Sequence, residues 1–264
     1  RDDSTGSPES VTEMIHIAEE TGKKFQISHL SSCSAMGQME GVLAEIKKAM
    51  EANPKLDYDT YPYNAFSTRI GTAVFDDGCF EKWNKSYDSI LLTSGPHKNQ
   101  FCDKELFEQV RREDPDQYVV AFVMNEDEIA AAIANPNGGM VASDGIISRG
   151  SGHPRAAGTF PRVLGKYVRE GKCLSLYDAL RKMTFEPARR LDLSGKGKIA
   201  VGCDADITVF DPETIADGAN FETLFIKPTG IDAVIVGGTV ALWESNIVNE
   251  RAGRFINSPF YRKK

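Results

Sequence analysis

Two residues of this sequence stand where a parallel βα architecture exposes its chemistry. His29 closes the run FQISH at residues 25–29, and Asp144 lies in MVASDG at residues 140–145. Side chains at the carboxyl ends of parallel strands project into the open loop face. A neutral imidazole ligates zinc well, and a carboxylate beside a metal-activated water serves as its general base, so the pair implies metal-assisted hydrolysis. Spacing alone leaves a plainer reading open. A histidine after an apolar strand is often a hydrogen-bonded structural residue, and Ser-Asp-Gly is a common turn. The four histidines, at 16, 29, 97 and 153, define no metal site by their spacing. His16 falls in a helical pattern and His97 in an irregular stretch, so both are expected to face solvent. No Ser or Cys has a base at a readable spacing, which disfavours a covalent nucleophile.

The elements that must position these residues follow a βα rhythm. Ser7-Pro8 starts a helix with Val11, Met14, Ile15 and Ala18 on one stripe, and Gly22 ends it. A second helix is expected from about Met36 to Asn53, stopped by Pro54. FQISH and LDYDTYPY (56–63) read as strands. From Asn64 to Gln117 the rhythm breaks into a stretch rich in glycine, aromatics and charge, too long for an ordinary βα loop, and reads as an insertion. The rhythm is expected to resume with the strand YVVAFVM (118–124), a helix around Glu126 to Ala134 and the strand MVASDG. Two helices follow, one near Pro161 to Glu170 and one opened by Ser175, paired with Asp178 in a capping-box-like arrangement. From Lys196 the period becomes two, and Gly237-Gly238 suits a tight hairpin.

At 264 residues and 41% hydrophobic content the chain can bury a sizeable core. A net charge of -7 without a basic patch argues against nucleic acid as a partner. No apolar run reaches the roughly 18 residues that would span a bilayer, so no membrane partner is expected and the setting reads as cytoplasmic. The five cysteines fall in no paired spacing and read as reduced thiols.

Several segments stand together in an order that carries a resemblance: FQISHLSS, DYDTYPY, MVASDG followed by GHPRAAGTFPRVLGKYVRE, MTFEPARRL, and KGKIAVGCDADITVFDP. Over nearly its whole length the chain resembles the D-aminoacylase, or N-acyl-D-amino-acid deacylase, family of the amidohydrolase superfamily. The GHPRAAGTFPRV run is specific to that branch, and GCDADITVFD is typical of the superfamily. The resemblance implies an α/β fold, the C-terminal part of a metal-dependent (β/α)8 barrel with a small β-sandwich domain. Residues 1–195 would be a partial barrel, strands six to eight with the insertion at about 64–117, and residues 196–264 a sandwich segment.

It further implies Zn2+ as cofactor and a small-molecule N-acyl-D-amino acid as substrate, hydrolysed at its amide bond. His29 would be a metal ligand at the end of the sixth strand. Asp144, at the end of the eighth, would be the catalytic aspartate and a second contact to the metal. Arg155, in HPR, matches the position that holds the substrate carboxylate, for which a two-pronged guanidinium is suited. Tyr61 is placed to help, with Tyr63 as the alternative. His153 shares the Arg155 motif, either beside the substrate or capping a helix or bracing the loop, and Ser31 stands where some members carry a Lys that contacts substrate. The family's His-x-His pair, second-strand ligand and fifth-strand histidine are not in this sequence. They are expected in a missing N-terminal barrel half, without which the fragment should be inactive. Two rivals are a cyclic-amide hydrolase of the hydantoinase or dihydroorotase kind and a non-catalytic binding module.

Overall fold

A computed structural model describes residues 6–148 and 150–257; the tail YRKK, whose place at the chain end suggests fraying, lies outside the described residues. The first helix, α1 (Ser7–Thr21), buries Val11, Ile15 and Ala18 and ends where Gly22 turns left-handed at φ 59°. Strand β1 (Phe25–Ile27) follows, then the short helix α2 (Leu30–Ser34). Helix α3 (Met39–Ala52) buries Met39, Val42, Ile46 and Ala49, one face of a 3.6-residue repeat. It begins three residues later than the pattern suggested, because the Glu128 carboxylate accepts hydrogen bonds from the Gly37 and Met39 amides and fixes the start there. Strand β2 (Leu56–Thr60) pairs in parallel with β1 (Phe25 opposite Leu56, Ile27 opposite Tyr58).

The segment 64–117 carries its own sheet. Strands β3 (Phe66–Arg69) and β4 (Ile90–Leu92), with helices α4 (Cys79–Trp83) and α5 (Lys104–Glu113), surround an aromatic cluster of Phe66, Phe75, Phe80, Trp83, Tyr87 and Phe107. Strand β5 (Tyr118–Ala121) lies between β3 and β4, antiparallel to both. This corrects the expectation that YVVAFVM resumes the βα rhythm: the strand closes the inserted sheet, and the rhythm restarts with helix α6 (Glu126–Ala134). Strand β6 (Met140–Val141) then joins β2 in parallel, giving the order β1-β2-β6. Three parallel strands and their helices hold the carboxyl ends on which the candidate residues sit.

A two-stranded ribbon, β7 (Ile147–Ser148) and β8 (Ser151–Gly152), precedes helix α7 (Arg155–Arg162), which continues into a wider π-wound stretch, Val163–Glu170. Helix α8 (Leu176–Met183) is capped by the Ser175 hydroxyl, which accepts from the Asp178 amide at 3.0 Å. The Asp178 carboxylate accepts the Ser175 hydroxyl proton at 2.6 Å, so the two side chains close on each other. After α9 (Phe185–Arg190), strands β9 (Ile207–Phe210), β10 (Ile231–Val236), β11 (Thr239–Trp243) and β12 (Asn246–Ile247) form an antiparallel sheet, β12-β11-β10-β9. Gly237 and Gly238, both at positive φ, make the expected two-residue turn between β10 and β11.

Contacts divide the described residues into two compact units. One runs to Thr159 and includes Ala219–Ile226; the other is Phe160–Gly218 with the residues from Lys227 onward. No helix among the described residues is long and apolar enough to cross a membrane.

Candidate active-site cleft

His29 and Asp144 line one open cleft of about 360 Å³, together with Ser32, Phe66, Thr68 and Arg155. All belong to the first compact unit. The βα scaffold explains their meeting: β1 and β6 flank β2 in parallel, so the segments just beyond their carboxyl ends open toward the same side. His29 sits two residues past β1, at φ 44° and ψ 48°, a left-handed backbone that a non-glycine residue adopts only when its surroundings compensate. The compensation comes from β2. Asp59 accepts the His29 amide proton at 2.8 Å through one carboxylate oxygen and the Gln26 side-chain amide at 3.0 Å through the other. The kink lifts the chain out of the strand and starts α2, so the imidazole stands at the cleft instead of continuing the pleat.

On the ring, Nδ1 lies 2.9 Å from the Ser32 hydroxyl and 3.4 Å from the Cys33 sulfur. Asp144 also has a positive φ, 46°. Its carboxylate is 2.8 Å from Arg155 Nη2, and Arg155 is 2% exposed while Asp144 is 34% exposed, so a buried guanidinium holds a carboxylate at the solvent boundary. The guanidinium carbon lies 4.4 Å from the centroid of the Tyr61 ring. Two buried N–H groups of Arg155, Nε and Nη1, have no hydrogen-bond partner.

The structure separates the other candidates. Tyr61 is fully buried and contributes the aromatic floor under Arg155, with its hydroxyl 3.8 Å from the Met124 sulfur. Burial pushes its phenol well above the ordinary range, partly offset by the Arg155 charge. It therefore supports Arg155, and it is not in the cleft lining. Ser31 departs from expectation: it is fully buried in α2, its hydroxyl has no partner, and Ser32 is the serine that reaches the cleft. The left-handed kink at His29 changes which face of the next turn is presented, and that reverses the two serines.

Of the roles left open for His153, its surroundings favour the brace. It is 1% exposed, Nε2 is 3.0 Å from the Ala65 carbonyl, and Nδ1 accepts the Arg155 amide proton at 3.0 Å. Edge-on contacts to Tyr63 and Phe221 complete its enclosure. Both ring nitrogens are thus spent on backbone groups, those of Ala65 and Arg155. Ser32 and Asp59 were not singled out from sequence. The only signal was a hydroxyl three residues after His29, the spacing at which a serine turns back on its own helix start.

His29 and Asp144 are donors of the types zinc accepts, and among the described residues no group of three His, Cys, Asp or Glu could hold a metal ion. All five cysteines are free thiols.

Known proteins resemble this chain in sequence and in fold. The chain is 32% identical to N-acyl-D-glutamate deacylase of Alcaligenes xylosoxydans xylosoxydans over 260 residues, 94% of this chain and 51% of that protein. The crystal structure of D-aminoacylase, described as defining a novel subset of amidohydrolases, superposes with a TM-score of 0.85 at 29% identity, covering 97% of this chain and 54% of that one. The Bordetella bronchiseptica N-acyl-D-glutamate deacylase, solved with zinc and a phosphonate that mimics the tetrahedral intermediate, gives a TM-score of 0.79 at 31% identity over 91% of this chain and 51% of that one. The chain spans about half the length of these relatives. The model of the Amidohydrolase family matches residues 111–242, half of the sequence, and the chain belongs to that family.

Proposed function

We propose that this chain carries the catalytic aspartate and the substrate-binding arginine of a zinc-dependent N-acyl-D-amino-acid deacylase, which cleaves the amide bond to give a D-amino acid and a carboxylate. The observation that carries the reading is the single cleft shared by His29, Asp144 and Arg155. His29 and Asp144 would hold the Zn2+. When bound, the metal supplies Lewis acidity toward the acyl oxygen and the attacking water. The chain's own residues do the rest. Asp144 accepts the proton of the attacking water at its carboxylate and returns it to the departing amine, general-base catalysis followed by general-acid catalysis. Arg155 offers two unsatisfied N–H groups, a match for a carboxylate with two oxygens. Tyr61 fixes the guanidinium plane from below, and His153 fixes the backbone from which Arg155 projects.

The same reading places the remaining metal ligands on polypeptide outside the described residues, organised as the rest of a (β/α)8 barrel with a β-sandwich, so the isolated chain should be inactive. Five free thiols suit a reducing, cytoplasmic setting.

The test is a chimera in which this chain replaces the segment it matches in the Alcaligenes N-acyl-D-glutamate deacylase. It should hydrolyse N-acetyl-D-amino acids and spare their L enantiomers, and Asp144→Asn should lower kcat by about 10²- to 10⁴-fold. Turnover of hydantoins alone would transfer the chain to the cyclic-amide hydrolases, and an Asp144→Asn chimera as fast as its parent would end the proposal.

A further inference from the structure

Ser32 has a role that follows from counting hydrogens. Its hydroxyl oxygen is 2.9 Å from the His29 carbonyl and 2.9 Å from His29 Nδ1. A serine hydroxyl has one proton to give, and a carbonyl can only accept. If that proton went to Nδ1, the serine and carbonyl oxygens would face each other at 2.9 Å with no hydrogen between them. Giving it to the carbonyl leaves the serine lone pairs to accept, and the short contact to Nδ1 then requires a hydrogen on Nδ1. This assignment gives each of the two contacts a proton of its own. The Cys33 sulfur, 3.4 Å from Nδ1, is a weak acceptor placed to share the same N–H.

We infer that Ser32 is a positioning residue that holds neutral His29 as its Nδ1–H tautomer, leaving Nε2 with the free lone pair that a metal ion takes. The inference rests on His29 being a metal ligand, and it adds the device that makes it a competent one. A neutral imidazole free in water carries its proton mainly on Nε2, where it blocks ligation by that nitrogen. The hydrogen bond at one ring nitrogen decides which nitrogen is left to bind. Ser32 is suited to this because it sits one helical turn after His29. The same left-handed kink that presents the imidazole brings the first turn of α2, and its hydroxyl, back against the ring.

The test reads the tautomer directly, by two-bond ¹⁵N–¹H correlation of the histidine rings in the metal-free chain at a pH where imidazole is neutral. His29→Gln assigns the His29 signals among the four histidines. The wild-type chain should show Nδ1 protonated and Nε2 bare. Ser32→Ala should reverse the ratio toward Nε2–H, and Ser32→Thr, which keeps the hydroxyl, should restore the wild-type pattern. A wild-type ring protonated mainly on Nε2 overturns the inference, as does a folded Ser32→Ala chain with unchanged tautomer. Should Ser32→Ala not fold, Cys33→Ala decides: loss of the sulfur should leave the pattern unchanged, and a shift to Nε2–H would transfer the role to Cys33 and overturn the assignment to Ser32. Because neither zinc nor substrate is present, failure here leaves the deacylase reading standing, and failure of turnover in the chimera leaves the tautomer result standing.

Discussion

Asp144 and Arg155 form a lopsided pair, a guanidinium that water barely reaches against a carboxylate about a third exposed. A buried charge that loses its partner costs more than an exposed one, so Asp144→Asn should lower stability by about 2 kcal/mol through Arg155 as well as abolishing the proton transfer. Urea unfolding of the variant checks it, and an unchanged midpoint would mean that Arg155 is already satisfied elsewhere. The thiols offer a second measurement. Burial pushes Cys79 up to about 11, and burial with the Asp103 charge pushes Cys102 up to about 12. A raised value keeps the thiol protonated and unreactive at pH 8, whereas Cys173 is exposed. Iodoacetamide at pH 8 should label Cys173 first and reach Cys79 and Cys102 only after unfolding; early labelling of either buried thiol would contradict the packing around it. At this scale the position of His29 and Asp144 just past strand ends, beside one cleft, was legible in the sequence, since strand ends are where βα folds place chemistry. Ser31 and Ser32 were not distinguishable, because their order depends on one left-handed residue that no periodicity announces.

Among the elements, the strands that carry the site were readable and the sheet between them was misassigned. YVVA is buried in its last three residues, with a half-buried Tyr118. An apolar run of that kind reads the same at the centre of a parallel sheet and between two antiparallel partners. The segment 64–117 read only as an insertion; that its aromatics gather into one cluster was not foreseen. The entry into β6 shows how tightly the site strands are fixed. Gly139 has φ 85°, and a Cβ added there would meet the Tyr58 ring at 2.5 Å. Its amide donates to Asp57 at 3.0 Å, and the Tyr58 hydroxyl donates to the Ala132 carbonyl at 2.9 Å, so neither side can yield freely. Gly139→Ala should therefore cost about 2 to 3 kcal/mol, from the left-handed backbone and the overlap together. Gly22→Ala, whose Cβ would meet nothing within 4 Å, should incur only the backbone part, about 1 kcal/mol. Comparable thermal shifts for the two variants would show that Tyr58 moves aside.

At the scale of the whole molecule, the number of metal donors sets what the chain can do by itself. A complete four-ligand zinc site in a small protein is worth about 10 to 16 kcal/mol at neutral pH. Two donors at a proportional share give about 5 to 8 kcal/mol, a dissociation constant between about 1 μM and 0.2 mM. That figure is an upper limit on affinity, because Asp144 must also be drawn from its 2.8 Å contact with Arg155. The chain dialysed against a chelator should thus bind zinc no tighter than micromolar by calorimetry, and His29→Gln should weaken it by a further tenfold or more. Nanomolar binding would mean that this chain supplies a fuller donor set than His29 and Asp144, and it would remove the reason for placing the other ligands outside it. Micromolar binding that does not respond to His29→Gln would locate the ion away from the cleft, and the deacylase reading would then lose the ligand on which its metal chemistry depends.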